Sequence, residues 1–152
     1  MQNKYIIIIF LIIALSGCGY SPIYYNQNTN FNIAELNFEG ENIINNFLEI
    51  NLKRYTGRKQ DRNYNISTKT KYEKNIYSKD KAGNATQFEL VVETKFKIFK
   101  TNIFLKNLIV KDKFIMKSLD DKFEESEYEK NIKQNFARSI ANKLITELST
   151  LK

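Results

Sequence analysis

The sequence contains no histidine and no tryptophan, and it has one cysteine, one proline and five glycines in 152 residues. Without histidine, the chain lacks the side chain that most often serves as a general base or a zinc ligand. A single cysteine cannot form a disulfide within the chain, and no glycine-rich phosphate loop is present. We therefore expect a protein that is not an enzyme and that has no catalytic residue and no metal site.

Carboxylates are the remaining candidates for catalysis. They cluster at Asp120, Asp121, Glu124, Glu125 and Glu127. This position is the predicted start of a helix, where negative side chains interact favourably with the helix dipole. We interpret the cluster as a stabilised helix start rather than as an acid–base pair.

The cysteine and the proline both follow an apolar segment at the start of the chain. Lys4 precedes an apolar run of eleven residues, 5–15, and Cys18 and Pro22 come directly after it. A membrane-spanning helix needs about 20 apolar residues, whereas about 7 to 15 are typical of a signal-peptide core. The run therefore predicts an export signal.

The end of this run, Leu15-Ser16-Gly17-Cys18, resembles the bacterial lipobox. The resemblance implies that residues 1–17 are removed, and that Cys18 carries an S-diacylglycerol and an N-acyl chain as the only bound group. Residues 18–30 then form a lipidated tether, and Gly19 after the cysteine resembles the signal for sorting to the outer membrane. The alternative is a buried cysteine near an uncleaved anchor.

The charge balance is basic, with 24 Lys and Arg against 17 Asp and Glu and a formal net charge of +7. Such an excess favours anionic partners, such as lipid headgroups, lipopolysaccharide phosphates or nucleic acid. The alternative is a general compositional bias, because the whole chain is rich in Lys, Asn and Ile.

Hydrophobic periodicity predicts four strands and two helices. The first strand covers 31–41, with Ala34, Leu36 and Phe38 on one face, and a helix begins at Ile43 and ends near Gly57. A second strand runs from Tyr64 to a hairpin turn at 78–84, and the third carries its apolar face from Phe88 to Ile98. A fourth strand lies within 108–116, where Lys111 to Lys113 obscure the alternation. A long helix begins near Asp121, with an apolar stripe at Tyr128, Ile132, Phe136, Ile140, Leu144 and Leu148.

This order, strand-helix-strand-strand-strand-helix, predicts an α+β sandwich. Each helix has one apolar stripe and the sheet has one apolar face, so both helices should pack on one face of a four-stranded mixed sheet. The other face should stay polar. Residues 31–152 are long enough for a single domain of this kind.

Nucleic-acid binding is the second class of function that the residues raise. Basic and aromatic side chains alternate at Lys71, Tyr72, Lys74, Tyr77, Lys79 and Lys81. A solvated strand face explains the same pattern, and the export signal argues against a nucleic-acid partner.

Three segments resemble the LptE family of lipopolysaccharide-assembly lipoproteins in its shorter form. They are "CGYSPIY" after the lipobox, "DKAGNATQF" from Asp80, and "FEESEYEKNIKQNFARSIANKLITEL" near the end of the chain. The resemblance implies an outer-membrane lipoprotein that assists assembly of the LptD barrel, plugs its lumen and binds lipopolysaccharide. Lys79 and Lys81, just before Gly83, are the lipopolysaccharide-binding residues that it implies. The alternative is that both are simply solvated residues of a hairpin tip, in a chain that is rich in lysine. The alternative function is a lipid-anchored binding protein that acts alone on an apolar or anionic ligand.

Overall fold

The structure is a computed structural model that describes residues 30–151. Its elements are β1 (Phe31–Gly40), α1 (Asn42–Leu52) with a 3-10 turn (Lys53–Tyr55), β2 (Arg62–Lys79), β3 (Ala85–Lys100), β4 (Ile103–Lys117) and α2 (Lys122–Thr150). The predicted order of strands and helices is confirmed. The predicted signal peptide, and the tether except for Asn30, lie outside the described residues.

The four strands form one mixed sheet in the order β1-β2-β3-β4. β1 is parallel to β2, and the other neighbours are antiparallel. A parallel pair needs a connection that returns the chain to the same end of the sheet, and α1 supplies it between β1 and β2. The sheet is therefore a βαβ unit extended by two hairpin-connected strands.

Both helices pack on one face of this sheet, which confirms the predicted α+β sandwich. α1 contributes Ile44, Leu48 and Leu52 to the core. The stripe of α2 is buried from Ile132 to Leu148, and Phe136 is 6% exposed. Tyr128, at the start of that stripe, is 38% exposed because it lies at the margin, edge-on to Phe114.

One face assignment in β1 was wrong. The register between β1 and β2 shifts between Ile33 and Glu35, so that Ala34 is a bulged residue and is exposed. Phe31 and Ile33 face the core before the bulge, and Leu36 and Phe38 pack against it afterwards. A bulge adds one residue to the strand, so residues before and after it do not follow a single alternation. Strict alternation back from Leu36 and Phe38 assigned Ala34 to the core face, whereas the bulge leaves it exposed.

β4 is longer than the predicted 108–116, and the structure explains its obscured alternation. Asp112 lies on the helix-facing side and accepts a hydrogen bond from Lys143 of α2 at 2.7 Å. Lys111 and Lys113 lie on the other side and pair with Glu93 at 2.5 Å and Glu89 at 3.6 Å. The strand therefore alternates correctly, but a paired carboxylate takes the place of an apolar residue.

The end of β1 requires glycine. Gly40 has φ +94°, and a Cβ there would lie 2.0 Å from the carbonyl oxygen of Thr70. The next residue, Glu41, donates its backbone N–H to that same carbonyl at 3.1 Å and caps α1 by accepting from Ile44 N–H at 2.6 Å. Close approach of the two strands thus sets where α1 begins.

Candidate functional site

The turn between β2 and β3, called here the hairpin tip (residues 78–86), is organised by Asp80. Its carboxylate accepts hydrogen bonds from the backbone N–H groups of Ala82 at 2.9 Å and Asn84 at 2.8 Å, and from the Asn84 side chain at 3.0 Å. These bonds from Asn84 and Ala82 lower the pKa of Asp80. Gly83 has φ +89°, a conformation that favours glycine. The tip is therefore an ordered turn held by an ionised aspartate.

Lys79 and Lys81 flank Asp80, and both side chains are exposed. Asp80 directs its oxygens to backbone and amide donors, so it forms no ion pair with either lysine. Neither lysine has a hydrogen-bond or ion-pair partner among residues 30–151. Within the same range, Lys69, Lys74 and Lys95 of β2 and β3 are paired, and Lys71 and Lys97 of these strands are not. The structure thus places both predicted site residues at the hairpin tip as exposed cations that form no ion pair with the described residues.

The start of α2 lies beside the hairpin tip, an arrangement that the periodicity did not reveal. Ser118 donates its backbone N–H to the carbonyl of Thr86 at 2.9 Å. Asp80, Thr86, Ser118 and Lys122 line one shallow concavity between the tip and the helix start. The base of the hairpin tip is therefore joined to the start of the long helix, although neither Lys79 nor Lys81 lines this concavity.

Glu125 anchors this helix start, and its role is structural. The carboxylate is 6% exposed and accepts hydrogen bonds from Leu119 N–H and Ser118 Oγ, both at 3.0 Å, and from Lys74 and Lys122, both at 3.2 Å. Burial opposes ionisation, but these four donors outweigh it and lower the pKa of Glu125 to about 2. A carboxylate that stays ionised and fully hydrogen-bonded is a poor general acid.

The rest of the acidic cluster supports the predicted stabilised helix start. Asp121 is the N-cap and accepts from the backbone N–H groups of Phe123 at 2.7 Å and Glu124 at 3.2 Å. Glu127 forms an exposed ion pair with Lys130 at 3.5 Å. No group of three or more metal-ligating side chains is found within residues 30–151.

A second, partly buried cluster joins α2 to β2 and to the start of α1. Glu129 accepts hydrogen bonds from the Tyr72 hydroxyl at 2.8 Å and Lys74 at 2.9 Å, and Lys133 donates to Glu41 at 3.0 Å. Burial, together with the hydrogen bond to Glu129, raises the pKa of Tyr72, so the phenol remains a neutral donor. Sequence reasoning missed this network, because its members are up to 92 residues apart.

The basic and aromatic set considered for nucleic acid does not form one surface. Tyr72 and Lys74 point to the helix side, where they bond Glu129. Lys71 is an exposed residue paired in register with Glu93, on the opposite side of the sheet. The alternation in sequence divides the set between two faces.

The face of the sheet that carries no helix is called here the open face. Along β3 it carries Glu93, which pairs with Lys95 at 3.1 Å and with Lys111 of β4, as the predicted polar face requires. Along β4, however, it also exposes Phe104, Ile109 and Ile115, at 51%, 54% and 36%. The prediction of a polar face thus fails at this edge strand.

Cys18, the predicted lipid-attachment residue, lies outside the described residues. Within residues 30–151, neither helix combines the length and the apolar character needed to cross a bilayer. Lipid attachment at Cys18 therefore stays a prediction from the sequence.

Comparison with known proteins shows in which proteins this fold occurs. No protein-family model and no curated protein matches this sequence. Solved structures do match, and those described next are bacterial lipoproteins by name. The α+β sandwich of two helices on a mixed sheet is thus a fold that occurs in bacterial lipoproteins.

Rare lipoprotein B from Shewanella oneidensis has a TM-score of 0.61 at 10% identity, over 78% of this chain and 95% of that one. Lipoprotein B from Nitrosomonas europaea has a TM-score of 0.55 at 18% identity, over 82% and 88%. A minor lipoprotein from Acinetobacter baumannii has a TM-score of 0.59 at 10% identity, over 80% and 91%. At these identities the likeness establishes a shared fold.

Proposed function

We propose that this protein is a lipid-anchored lipoprotein of the outer membrane that assists assembly of the LptD barrel, plugs its lumen and binds lipopolysaccharide. The observation that carries the proposal is the pairing of a lipobox ending at Cys18 with a domain whose fold is shared, over most of its length, with bacterial lipoproteins. The three segments that resemble the LptE family are the reason for proposing this role rather than that of another lipoprotein.

The surface of the domain is compatible with this role. The lumen of a wide outer-membrane barrel is polar, and the open face presents a row of lysine–glutamate pairs to its surroundings along β3. The exposed apolar side chains of β4 offer a further contact area for a barrel partner. We therefore expect the open face to take part in the contact with LptD.

Lys79 and Lys81 are the proposed contacts for the phosphates of lipopolysaccharide. A lysine ammonium forms a charge-assisted hydrogen bond with a phosphate oxygen, acting as a point charge. Both ammonium groups lack a carboxylate partner within the described chain, so a phosphate does not have to displace one. The ordered turn around Asp80 holds them at a defined end of the domain.

Charge reversal at the tip tests this contact. Lys79→Glu combined with Lys81→Glu should fold normally and lose capture of lipopolysaccharide, and any remaining binding should be less sensitive to salt. The matched control is Lys71→Glu with Lys97→Glu, since both are exposed lysines without a described partner on the open face. If the tip variant and the control lost binding equally, the loss would be due to the change in net charge. That result would contradict a site at the tip.

Co-purification separates the plug from the alternative of a binding protein that acts alone. Mild detergent extraction through a C-terminal tag should bring down a large heat-modifiable barrel in equal amount. A protein that purifies alone under these conditions would favour the alternative. Among the described residues, the side chains of both helices fill the layer over the sheet where an apolar ligand would bind, which is why we rank the plug first.

The anchor has its own test. Cys18→Ala should give a chain that is neither lipidated nor cleaved at this position, and intact mass of the purified protein measures both changes. A cleaved, membrane-bound Cys18→Ala protein that resists low-salt and high-salt washing would contradict the lipoprotein assignment.

A further inference from the structure

Arginine is scarce in this chain, and two arginines meet in one place. Only four of the 24 basic residues are arginines, at 54, 58, 62 and 138. Arg54, at the end of α1, and Arg138, in the middle of α2, line the same surface cleft. A general bias of composition toward lysine does not explain why two of the four arginines line one cleft.

Arg138 differs from every other basic residue of α2. Within Lys122–Thr150, Lys122, Lys130, Lys133 and Lys143 each form an ion pair with a carboxylate. Arg138 has no hydrogen-bond or ion-pair partner among residues 30–151, and its side chain is exposed. Its guanidinium is therefore available to an external group.

Arg54 is positioned by the core. Its guanidinium carbon lies 4.9 Å from the centroid of the Tyr55 ring, and Tyr55 stacks on Phe31 with centroids 5.6 Å apart. Stacking occupies one flat face of a guanidinium and leaves the N–H groups at its edges free to donate. Arg54 thus lies against a buried aromatic pair, and Arg58 lies over the same Tyr55 ring at 5.4 Å.

The remaining lining of the cleft favours an anion joined to an apolar group. Asn51, Asn142 and Ile50 complete it, and no carboxylate lines it. The two amides add neutral hydrogen-bonding groups, and the Ile50 side chain, 68% exposed, lies at the same cleft. Two guanidinium groups that line one cleft without a carboxylate make the electrostatic potential there positive, and this favours a bound anion.

We propose that Arg54 and Arg138 form an anion site that takes the phosphate group of an amphiphile, with Ile50 in contact with its apolar part. Arginine binds phosphate through two parallel N–H bonds, which a lysine cannot reproduce. The site is separate from the hairpin tip, because Arg138 lies sixteen positions after Lys122 in α2, about 24 Å along the helix. It does not require the LptD barrel.

The four arginines allow a direct test on the full chain in dodecyl maltoside micelles. Each arginine gives one side-chain Nε–H signal in a nitrogen-15 spectrum, so four signals report on four positions. Titration with inorganic pyrophosphate should shift the signals of Arg54 and Arg138 together, with one dissociation constant. The signal of Arg62, which donates to the carbonyls of Asn30 at 2.9 Å and Leu151 at 2.5 Å, should stay in place.

Variants and a second titration identify the source of the phosphate. Arg54→Gln with Arg138→Gln should weaken binding by about tenfold or more, and the lysine double variant should recover only part of it. Lys71→Gln with Lys97→Gln removes the same charge from the open face and should change binding less than about twofold. Mixed micelles with phosphatidylglycerol or with lipopolysaccharide then show which amphiphile gives the larger shift at Arg54.

Three results would overturn the proposal. They are no shift of Arg54 and Arg138 with any phosphate probe, equal weakening in the arginine and lysine control variants, and a tighter complex with a polyglutamate peptide than with every phosphate probe. The last result would assign the cleft to an acidic protein.

Discussion

The carboxylate of Glu125 offers a sharp test of how this domain is held together. Replacing Glu125 with Gln keeps the size of the side chain but removes the charge that four donors surround. Two of those donors, Lys74 of β2 and Lys122 of α2, are cations, and Lys74 lies 51 residues away in sequence. The substitution therefore weakens the link between the start of α2 and the sheet.

The size of the effect follows from the pKa. The pKa of Glu125 falls from an ordinary 4.5 to about 2. At about 1.4 kcal/mol per pH unit, this difference corresponds to about 3 kcal/mol of stabilisation at neutral pH. Lys122 is 72% exposed, so water screens part of the attraction, and we expect about 2 kcal/mol. In a domain of this size that loss lowers Tm by about 6 to 10 °C.

The effect should depend on pH with a definite sign. Because the folded-state pKa lies below the unfolded value, Glu125 stabilises the fold fully above about pH 4.5 and loses this contribution as the pH falls toward 2. Urea unfolding of the full chain in non-ionic detergent, followed by circular dichroism at pH 7 and pH 3, measures the difference. The gap between wild type and Glu125→Gln should shrink by more than half at the lower pH.

Glu127→Gln is the matched control, since it removes the same charge from the same helix. Glu127 forms an ion pair with Lys130 in which both side chains are about half exposed, and it should contribute less than about 0.5 kcal/mol. Equal destabilisation by the two variants, or a loss at Glu125 that does not change between pH 7 and pH 3, would refute the assignment of Glu125 as an ionised anchor.

Two further pairs of substitutions probe the core and the end of β1. Phe136→Ala should cost about 3 to 5 kcal/mol in urea unfolding because the ring is almost fully buried, whereas Phe123→Ala, at 75% exposure, should change stability little. Similar stabilities for these two variants would place the apolar stripe of α2 on the surface. Gly40→Ala should cost more than about 2 kcal/mol, since its Cβ meets the Thr70 carbonyl, and Gly57→Ala should cost about 1 kcal/mol because only its φ of +69° opposes a side chain. A tolerated Gly40→Ala would contradict the close approach of β1 and β2.

The sequence by itself determined the order and type of the elements. Alternation from Leu90 to Ile98 and the four-residue recurrence from Ile132 to Leu148 each specify one buried face, because period two and period 3.6 leave different patterns in a linear chain. The hairpin tip was also predictable, since Asp80, Gly83 and Asn84 are residues that turns favour for local reasons. Lys79 and Lys81 could therefore be placed at the tip before any contact was known.

Only the tertiary structure decided which side chains are paired and which are free. Asp112 is paired because Lys143 lies above it, and Glu125 is paired across elements because Lys74 reaches it from β2. Arg138 has no partner among residues 30–151, whereas the other cations of α2 find carboxylates. Each of these outcomes depends on which element lies beside which. Local periodicity reports the face that a residue occupies, but the partner on that face comes from a segment tens of residues away, so electrostatic pairing is a property of the assembled layers.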